Sequence, residues 1–399
     1  MAFGRHGELL GWTLRNEHKD HERRLRLAAG GRPGVVMTLS PTRRSVLAGA
    51  ALSALSGSIA RAESAGGSLE NSPSLKAARA GQPLFGLVAP VARLAENGPA
   101  FSRMAGEMGL FTLESDFQWS AMETSPGVWD FHRTDAGVYF ATSHGVAVAG
   151  HAIYYHYFIP EWLRSSEDSD ALTAALNERI AKTVARYAGK VQRWDVVNEP
   201  LNSRDGLPEG MRATAYSRVF GDRFIDIAFK LARAADPGAL LCLNEAEFEY
   251  ADQQEKRDNL LALLRRLKQR GVPVDVLGIQ SHLVAEKAID DQALQRFLKA
   301  VHKLGIKVAV TELDVLDDKL PADPGVRDKL VAQHAQRYLR IVRDNSDVVS
   351  VTCWGYSDRF TWLDMWHKRS DGRPLRPLPF DFDLMRKPLW AVIRDIIRT

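Results

Sequence analysis

Cysteine is nearly absent: Cys242 and Cys353 are the only two among 399 residues. At most one bridge can form, so no disulfide framework holds this chain together, and two thiols inside apolar strand-like runs are expected to be free and buried. Long apolar runs are also missing. The most apolar stretch, Val46 to Ile59, is rich in Ala, Ser and Gly and falls short of the roughly 20 residues a bilayer-spanning helix needs. Nor is there an excess of one charge sign where the bulk of the chain lies. Residues 1–62 hold 10 Lys+Arg against 4 Asp+Glu, leaving 43 against 45 for the remainder, a net of −2. The overall +4 is therefore a property of the leader and implies no nucleic-acid partner. No His-x-His pair or tight ligand spacing appears, which weighs against a metal-dependent hydrolase built on His151, His156, His282, Glu312 and Asp314. No internal repeat is detectable.

What remains is ordinary for a globular enzyme: 45% hydrophobic and 26% charged residues, and enough length for one large α/β barrel with an appendage. Residues 1–36 are charged and without apolar period, and are expected either to stay disordered or to precede a true start at Met37. Ser40-Pro41-Thr42-Arg43-Arg44-Ser45-Val46-Leu47, the short apolar run and Ala60-Arg61-Ala62 resemble a twin-arginine export signal over residues 37–62. The implied partner is the twin-arginine export machinery, and the implied location periplasmic or secreted, with no membrane insertion of the mature form. Residues 63–82 read as a linker and 83–399 as the catalytic domain.

From Leu84 onward short apolar runs alternate with amphipathic segments, the pattern of βα units on a parallel sheet. Strands are expected at 84–89, 110–114, 146–151, 192–198, 239–244, 276–280, 307–311 and 348–354, with helical segments such as 176–187, 220–235, 256–270 and 329–344 between them. Eight such units close into a single (β/α)8 TIM barrel, with function at the C-terminal strand ends.

Two of those ends carry carboxylates. Trp194-Asp195-Val196-Val197-Asn198-Glu199-Pro200 delivers an amide and a carboxylate together, and Lys307-Val308-Ala309-Val310-Thr311-Glu312-Leu313-Asp314 delivers a second carboxylate. Strand alternation puts Asp314 on the face of Glu312, and Asp195 and Val197 on the face of Glu199, with Asn198 leaning to the other side. A pair of glutamates at the ends of parallel strands is the minimum equipment of a glycoside hydrolase, and carboxylates supply both proton transfer and nucleophile, so no cofactor is needed. The two motifs, in this order, strongly resemble glycoside hydrolase family 10, the retaining endo-1,4-β-xylanases.

The resemblance implies a β-1,4-linked polysaccharide or oligosaccharide of the xylan type as substrate, Glu199 as general acid/base and Glu312 as nucleophile, about 5–5.5 Å apart. It further implies that His282, with Asp314 behind it, orients Glu312. Asn198 would contact the sugar 2-hydroxyl, Gln280 the sugar beside the nucleophile, and His151, paired with Asp195, the same sugar. Trp354 and Trp362 would pack on sugar faces. Tyr155 stands where the family usually carries Trp. Glu114 is retained from the family's glycone-binding set, but Ser115, Gln118 and Phe158 replace an amide, an ammonium and a second amide. Loss of those hydrogen bonds predicts an atypical glycone subsite. Two other readings start from this difference: a related retaining β-glycosidase of another glycan or plant glycoside, and a carbohydrate-binding protein with weak catalysis.

Overall fold

The computed structural model describes residues 69–76 and 81–398. The leader and the twin-arginine segment lie outside the described residues. Eight parallel strands form the centre: β1 (Leu84–Ala89), β2 (Leu110–Leu113), β3 (Ala147–Tyr155), β4 (Val191–Asn198), β5 (Leu240–Glu245), β6 (Val276–Ile279), β7 (Lys307–Leu316) and β8 (Val348–Cys353). Each pairs with the next in the chain, and β8 returns to β1 with Leu84 opposite Ser350, so the sheet closes. It is a single (β/α)8 barrel.

One principal helix follows each strand: α1 (Gly98–Ala105), α2 (His132–Ser143), α3 (Ser169–Thr183), α4 (Arg223–Ala235), α5 (Gln254–Gln269), α6 (Asp291–Lys303), α7 (Pro324–Asn345) and α8 (Pro388–Arg398). Their starts follow ordinary capping chemistry. Asp168, Asp290 and Asp323 each accept from a backbone N–H of the first turn, and Pro324 sits just inside α7. The helices bury Leu and Ile stripes against Val-rich strands that have almost no accessible side chain. Such strands, covered on both sides, read as continuous apolar runs rather than alternating ones. The two cysteines are buried and free, as their apolar strand contexts led us to expect.

Two departures from the sequence reading matter. Strands β3 and β7 run four or five residues further than expected, carrying the chain up into the site. The segment read as linker is docked where it is described. Leu75 is buried, and Arg386 donates to the carbonyls of Leu69 and Ser72 at 2.7 and 2.6 Å while its own N–H reaches Glu70 at 2.7 Å. One buried Leu and one multidentate Arg fasten a stretch whose Gly/Ser-rich context gave no sign of it.

Buried charge also serves the architecture. Arg179 of α3 is fully buried and donates to the carbonyls of Ala152, Ile153 and Phe117 and to the Thr183 hydroxyl. It thereby pins the top of β3 to the loop after β2, and both segments contribute to the site.

Candidate active site

The end of β4 does not behave as a simple strand. Its register slips against β5 between Asp195 and Val197, and the backbone at Glu199 turns to φ 52°. A left-handed conformation is uncommon for a residue with a Cβ and concentrates at functional sites. Slip and turn together cancel the expected alternation. Asn198 does not lean away from Glu199; the Gln280 amide donates to Asn198 Oδ1 at 3.3 Å and to Glu199 Oε1 at 2.9 Å, so both side chains face one site.

On β7 the alternation holds. Glu312 and Asp314 share a face, and His282 sits between them, with Nε2 3.1 Å from Glu312 Oε2 and Nδ1 3.0 Å from Asp314 Oδ2. An imidazole flanked by two carboxylates donates from both nitrogens. Burial works against that charge, but Asp314 and then Glu312 outweigh it and raise the His282 pKa well above its ordinary value. The Trp362 indole N–H donates to the same Asp314 oxygen at 2.8 Å. Trp362 is thus tied into the support of Glu312 through Asp314 and His282.

Asn244, at the end of β5, joins the two halves. Its amide nitrogen donates to Glu312 Oε1 at 2.7 Å and to Asn198 Oδ1 at 2.8 Å, while its oxygen accepts from the Thr311 hydroxyl at 2.8 Å. The Glu312 carboxylate, which only accepts, decides which way the amide faces, and the Thr311 hydroxyl complements it. Gly278 of β6 makes room for it: a Cβ there would lie 2.2 Å from Asn244 Oδ1. The carboxylates are therefore linked through three amides, those of Gln280, Asn198 and Asn244.

On the other side His151 Nδ1 lies 3.0 Å from Asp195 Oδ2, and Arg193 Nε donates to Asp195 Oδ1 at 3.1 Å. Burial would raise the Asp195 carboxyl, but Arg193 and His151 hold it below its usual range. Trp354 lies edge-on to both His151 (5.2 Å) and His282 (6.1 Å), so it spans the floor between the two histidines. Glu114 is half-buried within electrostatic reach of His151 and Glu312. Burial, with the Asp116 charge adding to it, pushes its carboxyl up to about 7.

The environment of Glu199 could not be read from the sequence. Tyr155 donates its phenol to Glu199 Oε1 at 3.0 Å, and Arg212 donates to the Glu199 carbonyl at 2.8 Å with a longer 3.5 Å approach to Oε2. Behind them Lys256 lies 2.9 Å from the fully buried Glu245. Burial alone would raise the Glu199 carboxyl, but the charges of His156 and Arg212, the Gln280 hydrogen bond and Lys256 outweigh it and hold it at about 2. His156 is itself pushed down to about 3 by burial, so at neutral pH the neighbouring cations are Arg212 and Lys256. A resident general acid would be expected to sit high. The protein's own groups instead hold Glu199 as a carboxylate, with the Tyr155 and Gln280 donors on Oε1 and the Arg212 and Lys256 charges nearby.

Glu114, His151, Tyr155, Asn198, Glu199, Gln280, His282, Glu312, Asp314, Trp354 and Trp362 fall in this one cluster. Among the altered glycone positions, Phe158 packs 5.6 Å from the Tyr155 ring, whereas Gln118 is buried and its Oε1 has no protein partner. Asn244, Thr311, Arg212, Lys256 and Arg193 escape the sequence reading. Asn244 ends its strand as Asn198 and Glu199 end theirs, and that placement was the available signal.

The model of glycosyl hydrolase family 10 matches residues 74–396. The chain belongs to this family. A β-1,4-xylanase of Dictyoglomus thermophilum is 33% identical over 296 residues, which is 71% of this chain and 80% of that relative. Endo-1,4-β-xylanase A of Phanerodontia chrysosporium is 32% identical over 286 residues, 71% of this chain and 66% of the relative. Among solved structures, xylanase 10B of Thermotoga petrophila RKU-1 in complex with xylobiose superposes with a TM-score of 0.74 at 25% identity, covering 83% of this chain and 98% of that one. Family membership makes the chain a glycoside hydrolase and agrees with a barrel whose polar residues converge at one end.

Proposed function

We propose that this family 10 member is a retaining endo-1,4-β-xylanase in which Glu199 is the acid/base and Glu312 the nucleophile. The observation that carries this reading is the paired carboxylate arrangement: Glu199 directly follows β4 and Glu312 lies in the C-terminal half of β7; the two are joined through Gln280, Asn198 and Asn244 and differ in their support. Glu312 is held by a His282–Asp314 pair, which fixes its orientation. Glu199 is the more open, with 15% of its side chain exposed against 6% for Glu312, as suits a group that exchanges a proton with substrate and then with water.

In the first displacement Glu312 attacks the anomeric carbon while Glu199 gives its proton to the leaving oxygen. In the second, Glu199 takes a proton from the water that hydrolyses the glycosyl-enzyme. The protein's own groups hold Glu199 in the form the second step uses. A sugar seated against Gln280 takes away one of the donors that keep it ionised, which moves its pKa up toward the protonated form the first step uses. Asn198 and Gln280 are assigned to the sugar hydroxyls, His151 and Trp354 to the floor beneath that sugar, and Tyr155 to its wall. Glu114, raised to about 7, is a hydrogen-bond donor as well as an acceptor below neutral pH, and replaces part of what Ser115, Gln118 and Phe158 remove from the glycone pocket. Xylan is the substrate favoured by the names of the relatives above. Export through the twin-arginine pathway to the periplasm or beyond rests on residues 37–62, and a polymeric substrate outside the cytoplasm supports it.

The test is the stereochemistry of xylan cleavage by the purified protein, followed by proton NMR. Fresh β-anomer that mutarotates later is expected. Fresh α-anomer, or no cleavage by the folded enzyme, contradicts the proposal.

A further inference from the structure

Tyr155 ends β3 with its hydroxyl turned away from the barrel wall and onto a reacting group. Its O–H donates to Glu199 Oε1 at 3.0 Å, and the same oxygen accepts from Gln280 Nε2 at 2.9 Å. A carboxylate oxygen offers two lone-pair positions, so Oε1 is filled and Oε2 is the oxygen left to take up and release a proton. The ring itself is held by its neighbours: Phe158 at 5.6 Å, Tyr157 at 5.3 Å and His151 at 6.2 Å between centroids. We infer that Tyr155 is a positioning residue for Glu199, whose phenol stabilises the ionised form on which the second displacement depends and confines the travelling proton to Oε2. This rests on the acid/base reading of Glu199.

The other groups facing Glu199 define what the phenol adds. His156 approaches from the same strand end, Arg212 from the segment after β4, Lys256 and Glu245 from α5 and β5, and Glu312 and Tyr157 complete the surroundings. Arg212 and Lys256 favour the carboxylate by charge; Glu245, paired with Lys256, and Glu312 oppose it. Gln280 shares Oε1 with the phenol, but its amide also donates to Asn198 and lies where a sugar is expected. Tyr155 commits its one O–H to Oε1, and burial keeps that phenol protonated by raising its pKa well above the ordinary value. A hydrogen bond to the charged form lowers a carboxyl pKa, so its removal raises that of Glu199.

An aryl xylobioside with a highly activated leaving group needs little acid assistance, so hydrolysis of the glycosyl-enzyme limits kcat, and the acidic limb of its pH profile reports ionisation of Glu199. In Tyr155→Phe that limb moves to higher pH by about one unit, and kcat on the plateau, where Glu199 is already ionised, falls less than kcat below it. Replacement of Tyr155 by 3,5-difluorotyrosine, nearly the same size but a stronger donor, moves the limb the other way and answers the question should the Phe variant fold poorly. An aromatic that only supports a sugar would change KM and leave the limb in place in both proteins; that result overturns the inference while the role of Glu199 stands. Glu199→Ala separates the two failures. It removes the limb if Glu199 is the base, and a limb that persists in that variant overturns both the acid/base reading and the positioning role of Tyr155.

Discussion

Asn244→Ala removes the link between the two halves of the site. In the intact protein the Asn244 amide donates to Glu312 at 2.7 Å and to Asn198 at 2.8 Å and accepts from Thr311 at 2.8 Å, all with no exposure to solvent. Truncation leaves Glu312 with the His282 contact alone and releases the Asn198 side chain from one of its two donors. A hydrogen bond to a charged group contributes about 1.5–3 kcal/mol, and each ~1.4 kcal/mol is a factor of ten in rate. The expected loss in kcat/KM is therefore about 10- to 100-fold. It should appear on aryl glycosides with good and poor leaving groups alike, because the nucleophile is used in both. Asn244→Asp keeps the volume but faces Glu312 with a second carboxylate. The donor to Glu312 is then replaced by a like charge, and kcat/KM is expected to fall at least as far as in Asn244→Ala. Steady-state kinetics on two aryl xylobiosides, with chemical denaturation to verify folding, are the assay. Values within threefold of the parent for both variants, in folded protein, would show that the amide bridge does not hold the nucleophile.

Two further predictions concern charge. Asp314→Asn removes the largest influence raising His282, so the imidazolium beside Glu312 is held less strongly and kcat/KM falls by about tenfold or more. A histidine with raised pKa stabilises the fold fully below its unfolded value of about 6.5 and loses that contribution as pH rises through the folded value. The stability deficit of Asp314→Asn is accordingly larger at pH 5 than at pH 9 when both are measured by denaturant unfolding. Glu249 is buried, accepts from the Ser281 N–H at 3.1 Å through one oxygen, has no protein partner on the other, and is pushed up to about 7 by burial. A raised carboxyl contributes stability below its unfolded pKa and loses it as pH rises to the folded value. Glu249→Gln should flatten the decline between about pH 4.5 and 7, and be the more stable protein at pH 8 by up to about 3 kcal/mol; a parallel pH dependence in the two proteins would contradict this.

Eight strands were legible because βα repetition leaves a plain mark: Val-rich runs, each bounded by helix caps and glycine turns. The strand-end residues Glu199, Glu312, His282, Asp314 and Asn198 were legible because family motifs name them in place. What could not be read were the features set by tertiary geometry. The alternation rule misplaced Asn198, since nothing in Asp195-Val196-Val197 announces a register slip or the φ of 52° at Glu199. Asn244 did not stand out in its apolar strand, and its function appears only when β5 lies between β4 and β6 with Gly278 clearing space. Arg212 comes from an irregular loop after β4, and loops carry no period to place it. That Tyr155 stands where the family usually carries Trp was legible, whereas its hydroxyl on Glu199 was not. The start of the domain was placed too late because the anchoring of Leu69–Leu75 depends on Arg386, more than 300 residues further along.

The central claim, that Glu312 attacks and Glu199 exchanges the proton, is tested most directly by chemical rescue of the two alanine variants. With an activated aryl xylobioside and added azide, Glu312→Ala is expected to regain turnover and yield the α-glycosyl azide, since the anion enters the space the nucleophile left. Glu199→Ala is expected to yield the β-glycosyl azide through an intact glycosyl-enzyme. Identical products from both variants, or loss of turnover in both that azide does not restore, would contradict the assignment.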